Sequence, residues 1–92
     1  MAAPDESWLV VPSVTARRSL RRVPAKAAPA IVEFIDGPLR ENPQRLGNQL
    51  RGELTGLWSA RRGEYRVIYR LREQDRTIEI ILVSHRRDAY RG

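Results

Sequence analysis

A lone histidine, His85, stands directly before Arg86 and Arg87 and shortly before Tyr90. Upstream, Arg61 and Arg66 flank a turn signal inside LWSARRGEYRVIYR (57–70). These residue types suit one reaction, the metal-free cleavage of an RNA phosphodiester by its own 2′-hydroxyl. That reaction needs a base for the 2′ proton, an acid for the leaving 5′ oxygen, and fixed positive charge for the dianionic transition state. Guanidinium groups supply the charge, and their planar forks match phosphate oxygens two at a time. Imidazole is the one side chain whose ordinary pKa, roughly 6.5, suits proton transfer near neutrality. The phenol of Tyr90 can stack on a base or donate its proton. Each residue also has a plain reading: exposed charge is the default for arginine, a histidine at a strand end is commonly a surface residue, and a terminal tyrosine commonly packs on a sheet. Glu64 reads either as a carboxylate for the site or as a charged turn residue.

These groups can act together only on a rigid frame, and the rest of the chain describes one. In Tyr65–Leu71, Tyr65, Val67, Tyr69 and Leu71 alternate with Arg66, Ile68 and Arg70, so the arginines occupy one side of a strand. Leu57–Arg61 forms the strand before it, and Arg62-Gly63-Glu64 is the turn that brings Arg61 towards Arg66. After a polar turn at Glu73–Arg76, Thr77–Val83 is almost wholly apolar, as expected of a central strand buried on both faces. Trp8–Val11, ending at Pro12, suits an edge strand. Ser13 is a good helix N-cap, and Ala16, Leu20 and Val23 share one face of the helix that Pro24 ends. A second helix carries Ala27, Ala30, Ile31, Phe34 and Ile35. Its regular part is expected to start near Pro29, because proline belongs in a first turn, and to stop at Gly37-Pro38. Residues 39–56 read mostly as loop, with Leu50 and Leu54 as anchors to the core. Trp8 and Trp58 read as core residues. The order is β-α-α-β-β-β, an α+β fold with an antiparallel-rich sheet and two N-terminal helices packed on one face.

The whole chain, 1–92, reads as a single domain, with residues 1–6 as a disordered tip. Net charge is +6, from 17 basic and 11 acidic residues, and every basic residue except Lys26 is arginine. That balance favours a polyanionic partner, nucleic acid before membrane. With no cysteine, disulfides, thiolate nucleophiles and zinc–thiolate sites are excluded. One histidine and scattered acids make no metal site, and no nucleotide-binding or serine-hydrolase motif is present. No cofactor is expected. No apolar run approaches the ~20 residues of a membrane span, and MAAPDES lacks the basic-then-apolar order of a signal peptide. A cytoplasmic protein is the simplest expectation.

Four stretches carry a family resemblance: PSVTARRSLRRVP (12–24), GPLRENPQRLGNQLRGELTGLWSARRGEYRVIYRL (37–71), the I-x-I-I-x-V strand (78–83) and HRRDAY (85–90). In this order they resemble the RelE/ParE superfamily of toxins, specifically the RelE-type bacterial mRNA interferases. The resemblance implies a small, microbial-RNase-like α+β fold and cofactor-free cleavage of mRNA in the ribosomal A site. It also implies a cognate antitoxin that wraps and blocks the toxin, in a complex that is oligomeric and binds DNA through the antitoxin. By the same resemblance, Arg66 stabilises the phosphate transition state and Arg61 matches a basic position in the preceding strand. Arg86 falls at or next to the family's late catalytic arginine, with Arg87 the other choice. His85 matches a histidine that other members replace by lysine, and Tyr90 the tyrosine that stacks on the substrate base. Arg62, Arg70 and Arg87 complete the set as RNA contacts.

The chain also departs from the family. Some members carry a glutamate general base before the central hairpin, where Asn48 is the nearest equivalent here. Others carry lysines in the first hairpin strand, where Trp58, Ser59 and Ala60 stand. The identity of the base is therefore open, and charge stabilisation with substrate orientation carries more of the expected mechanism. Two other classes fit the same fold: a ParE-like inhibitor of DNA gyrase, and a non-toxic corepressor that binds its antitoxin.

Overall fold

The structure is a computed structural model that describes residues 7–87. The expected disorder of residues 1–6 and the position of Tyr90 lie outside the described residues. A five-stranded sheet runs in the order β1-β5-β4-β3-β2. Its strands are β1 (Leu9–Pro12), β2 (Asn48–Gln49), β3 (Trp58–Arg62), β4 (Tyr65–Arg72) and β5 (Thr77–His85). Only β1 runs parallel to its neighbour, β5; the other pairs are antiparallel. Helices α1 (Val14–Arg22) and α2 (Ala28–Phe34) supply Ala16, Val23 and Ile31 to one core with Ala60, Val67, Tyr69, Ile78, Ile80 and Val83 of the sheet. The expected α+β order with both helices on one face is thus what the chain forms.

Side chains of the first turn and of α1 stitch that helix to β5. Ser13 caps it, its hydroxyl accepting from the Ala16 amide at 2.9 Å and donating to the Ile81 carbonyl at 3.1 Å. One turn on, Ser19 Oγ accepts from the Val83 amide at 3.0 Å. β5 beyond Ile80 has no strand on its outer side, so these hydroxyls satisfy backbone groups that would otherwise lie on an open edge.

α2 places Pro29 in its first turn, where a missing amide costs nothing. The expected stop at Gly37-Pro38 does not occur. The helix instead widens into a π-helical turn over Ile35–Leu39 and carries on to Arg40. A regular turn would clash with the proline ring, whereas a turn with one extra residue accommodates it. The gain is burial of Leu39, which is fully enclosed.

Residues 39–56 are also more ordered than a loop. They hold a helical turn, α3 (Pro43–Leu46), then β2, which pairs Asn48 with Ser59 and Gln49 with Trp58. The expected leucine anchors do not fasten this segment, since Leu54 is exposed and Leu50 lies outside the core. Tyr69 fastens it instead, donating its phenol proton to the Pro43 carbonyl at 2.6 Å. Gly47 passes directly beneath that ring; a Cβ there would overlap Tyr69 Oη. Trp8 is buried as expected, while Trp58 packs half-buried against the core and stacks near Tyr69.

β5 is longer than Thr77–Val83 and is not buried on both faces. Ile78, Ile80 and Val83 are enclosed beneath the helices, whereas Glu79 and Leu82 on the other side are half-buried. A bulge opposite Ile68/Tyr69 pairs Tyr69 with Ile80 but Ile68 with Leu82, leaving Ile81 as the extra residue. Strict alternation from Ile78 would put Val83 and His85 away from the helices. The bulge reverses the phase, so both fall on the helix side and Ser84 falls on the other.

Candidate functional site

The hairpin β3–β4 turns on two residues, Gly63 and Glu64, with Arg62 opposite Tyr65. Gly63 has φ +62, the conformation that the first position of a II′ hairpin turn demands and that disfavours any other residue. A turn of this length fixes the register, and the next pair inward is Arg61 opposite Arg66. Such a pair is of the closely spaced type, with Cα atoms ~4.5 Å apart and both side chains on one face. Like charges directly opposed in a sheet are unfavourable, so this pair costs stability unless an anion lies against it. The alternation that buries Val67 and Tyr69 under the helices turns Arg61 and Arg66 away from them.

Across from Arg66 on β5 is Ser84, whose hydroxyl is buried and has no hydrogen-bond partner among the described residues. Buried hydroxyls are seldom left so. Asn48, on β2, shares this face by its pairing with Ser59. Its amide cannot accept a proton as the carboxylate of other family members can.

His85 lies opposite Tyr65, on the neighbouring row, and touches its ring edge to face at a centroid distance of 5.3 Å. The Arg87 amide donates to His85 Nδ1 at 3.2 Å. In the neutral ring that leaves the proton on Nε2, and Nε2 is 4.0 Å from a carboxylate oxygen of Glu64. The same oxygen is 3.0 Å from Arg86 Nε. The Arg86 amide in turn donates to the Glu64 carbonyl at 2.7 Å, one ladder step beyond the Arg66–Ser84 pair. His85 and Arg86 are therefore tied to the hairpin turn that presents Arg61 and Arg66.

Two expected RNA contacts are not brought to this cluster. Arg62 alternates to the helix side and sits near Ala30, Glu33 and Phe34 of α2. Arg70 pairs with Glu79 at 3.3 Å, one full strand turn from Arg66. Arg87 adjoins His85 through its backbone. Tyr90 lies outside the described residues. Glu64, one of whose two sequence readings was a site carboxylate, contacts Arg86, while Ser84 is the residue that sequence reasoning missed: Ile80-Ile81, a doubled apolar residue inside an alternating strand, signals the bulge that places Ser84 opposite Arg66. Beside His85, a cavity of about 280 Å³ opens between the end of α1 and β5, lined by Ser19, Arg22, Val23, Tyr65 and Val83 among others. No group of metal-binding side chains occurs among the described residues, and no helix among them is long and apolar enough to cross a membrane.

A small mixed sheet with two helices on one face and a hairpin arginine pair turned to the other is a fold shared with known proteins. A family model described as the ParE toxin of the type II toxin–antitoxin system, parDE, matches residues 10–90. The chain is 48% identical over 87 residues to Toxin RelE of Mycobacterium tuberculosis, spanning 95% of this chain and 90% of that one. It is 47% identical to Toxin RelG of the same organism over 79 residues, 86% of this chain and 91% of that one. Among solved structures, the toxin–antitoxin complex RelBE2 of M. tuberculosis aligns with a TM-score of 0.84 at 43% identity, covering 86% of this chain and 98% of that chain. The RelE–RelB complex of Pyrococcus horikoshii aligns with a TM-score of 0.67 at 26% identity, covering 94% and 99%. The chain belongs to the ParE toxin family of type II toxin–antitoxin systems, within the RelE/ParE superfamily.

Proposed function

We propose that this protein is a ribosome-dependent endoribonuclease that cuts mRNA in the A site through attack of a 2′-hydroxyl on the adjacent phosphate, and so inhibits translation. The observation that carries this reading is the opposed pair Arg61 and Arg66 on a rigid hairpin. Two guanidiniums side by side on one face suit a phosphate passing through a dianionic state. Arg86, held at the end of the same hairpin, adds a third cation. His85, on the neighbouring row of the ladder, is assigned the proton transfer because imidazole suits it near neutrality. Arg87 contacts the RNA backbone, and Tyr90 stacks on the base, a role that rests on the family resemblance. No metal enters the scheme. Since Asn48 is no base, orientation of the mRNA by the ribosome does much of the work, and free RNA is a poor substrate.

The partner that restrains the protein in the cell is a cognate antitoxin. Support comes from the relatives solved as toxin–antitoxin complexes, RelBE2 of M. tuberculosis and RelE–RelB of P. horikoshii. The test is expression in translating cells without antitoxin, followed by mapping of mRNA 5′ ends. Codon-phased cuts that vanish in Arg66→Ala are expected; a growth arrest without them rules the reading out.

The match to a ParE model favours one other reading, inhibition of DNA gyrase by binding. Supercoiling by purified gyrase, with and without the protein, separates the two.

A further inference from the structure

We propose that Glu64 is a positioning residue that holds Arg86 and His85 in register with the Arg61–Arg66 pair, an inference that rests on the nuclease reading above. Three contacts converge on this one residue. Its carbonyl accepts from the Arg86 amide at 2.7 Å, its carboxylate lies 3.0 Å from Arg86 Nε, and the same oxygen is 4.0 Å from His85 Nε2. Backbone and side chain thus grip Arg86 at two points, which fixes both the path of the chain leaving β5 and the plane of the guanidinium. The grip originates in the turn whose Gly63 sets the register of Arg61 against Arg66. A single two-residue turn therefore couples the three arginines and His85.

The alternatives for Glu64 are a general base and an ordinary surface ion pair. As a base it is poorly placed, because its carboxylate is already engaged by Arg86 Nε at 3.0 Å. As a stabilising ion pair it is weak: the Glu64 side chain is 63% exposed and that of Arg86 46%, and exposed pairs contribute little to folding. What remains is geometry. A residue that aims a transition-state cation affects turnover far more than it affects binding or stability, because misplacement by about 1 Å costs up to ~100-fold in rate.

The experiment measures mRNA cleavage on programmed ribosomes, thermal melting, and the Arg86 Nε–H signal in 15N spectra of the intact protein. Glu64→Ala is expected to lower kcat about tenfold or more with KM and melting temperature nearly unchanged. Glu64→Gln, which keeps an acceptor for Arg86 Nε, recovers part of that loss. In an Arg86→Ala background, Glu64→Ala adds less than about twofold, because the residue it positions is gone. The Arg86 Nε–H signal moves to the position of a solvent-exposed arginine in Glu64→Ala and stays near its original place in Glu64→Gln. Undiminished cleavage by Glu64→Ala, a loss that adds in full to Arg86→Ala, or a loss explained by a lowered melting temperature overturns the proposal. If Glu64→Ala does not fold, the Glu64→Gln measurements and its Arg86 double variant decide by the same criteria. If the wild-type protein does not cut at all, the nuclease reading fails, while the Nε–H comparison still reads whether Glu64 holds Arg86.

Discussion

The two ends of the β4–β5 ladder carry similar numbers of arginines and use them in opposite ways. At the end near Thr77, cations close the fold. Arg76, in the left-handed region at φ 49, places its guanidinium 4.5 Å from the centre of the buried Trp8 ring. Its carbonyl accepts from the Leu9 amide at 2.8 Å, fastening β1 to the sheet, and Arg70 pairs with Glu79 across the ladder. At the hairpin end, Arg61 faces Arg66 and the Glu64 turn grips Arg86. One end spends its cations on an indole and a carboxylate, favourable contacts worth ~1 kcal/mol each. The other end brings cations together on one face of a hairpin. Arginine content does not mark the site; the company each arginine keeps does.

The comparison predicts that substitutions at the two ends separate stability from activity. The largest effect is expected for Trp8→Ala, about 3–5 kcal/mol of stability by loss of a buried aromatic, read by chemical denaturation. If instead it unfolds no more easily than wild type, the Thr77 end is not the structural one. Next comes Arg66→Ala, with a 10²–10³-fold loss of ribosome-dependent cleavage, or about 2.7–4 kcal/mol of transition-state stabilisation, and a melting temperature close to that of wild type. A large drop in melting temperature would erase the distinction between the ends.

Tyr69, between the ends, tests what holds the 43–49 segment behind the sheet. Gly47→Ala is expected to cost about 1–3 kcal/mol through overlap with the phenol, and less in a Tyr69→Phe background, where the overlapping oxygen is gone. Burial pushes the Tyr69 phenol well above its ordinary pKa of about 10. In the unfolded chain the phenol therefore ionises from about pH 10 while the folded chain still holds its proton. Stability from this residue is present below that pH and falls as pH rises through it. Tyr69→Phe removes this component of the alkaline decline, measured as unfolding midpoint against pH. The smallest effect belongs to Arg70→Ala: at most about 1 kcal/mol of stability, as expected of an exposed ion pair, and cleavage within about twofold of wild type. A loss comparable to that of Arg66→Ala would extend the functional end to Arg70.

Much of this architecture was legible residue by residue. The Ser13 cap, the place of Pro29, the alternation in β4 and the Gly63 turn are local devices, and each appears where the pattern puts it. The expected turn at 62–64 brought Arg61 only towards Arg66; the strand in fact runs on to Arg62, and the shorter Gly63-Glu64 turn sets the two arginines directly opposite. The π-helical turn at Ile35–Leu39 and the ordering of residues 43–49 were not legible. Both depend on remote groups: the pocket that encloses Leu39, and a Tyr69 hydroxyl that reaches Pro43 from 26 residues away. Leu50 and Leu54 looked like anchors because leucine prefers burial, yet a single buried phenol with a satisfied hydrogen bond holds the segment better than two half-exposed leucines.

By itself, the sequence determined an α+β domain with a cationic hairpin, because helix caps, strand alternation and turn residues act over a few neighbouring residues, and its motifs added the resemblance to the RelE/ParE superfamily. Only the tertiary structure decided which cations come together. The bulge at Ile81 reversed the phase of β5, sending Ser84 to Arg66 and His85 to Tyr65, and the Glu64 turn captured Arg86. The cause lies in pairing between strands: one extra residue on one strand exchanges the faces of every side chain beyond it, and that exchange is set by how β5 packs against β4 and α1.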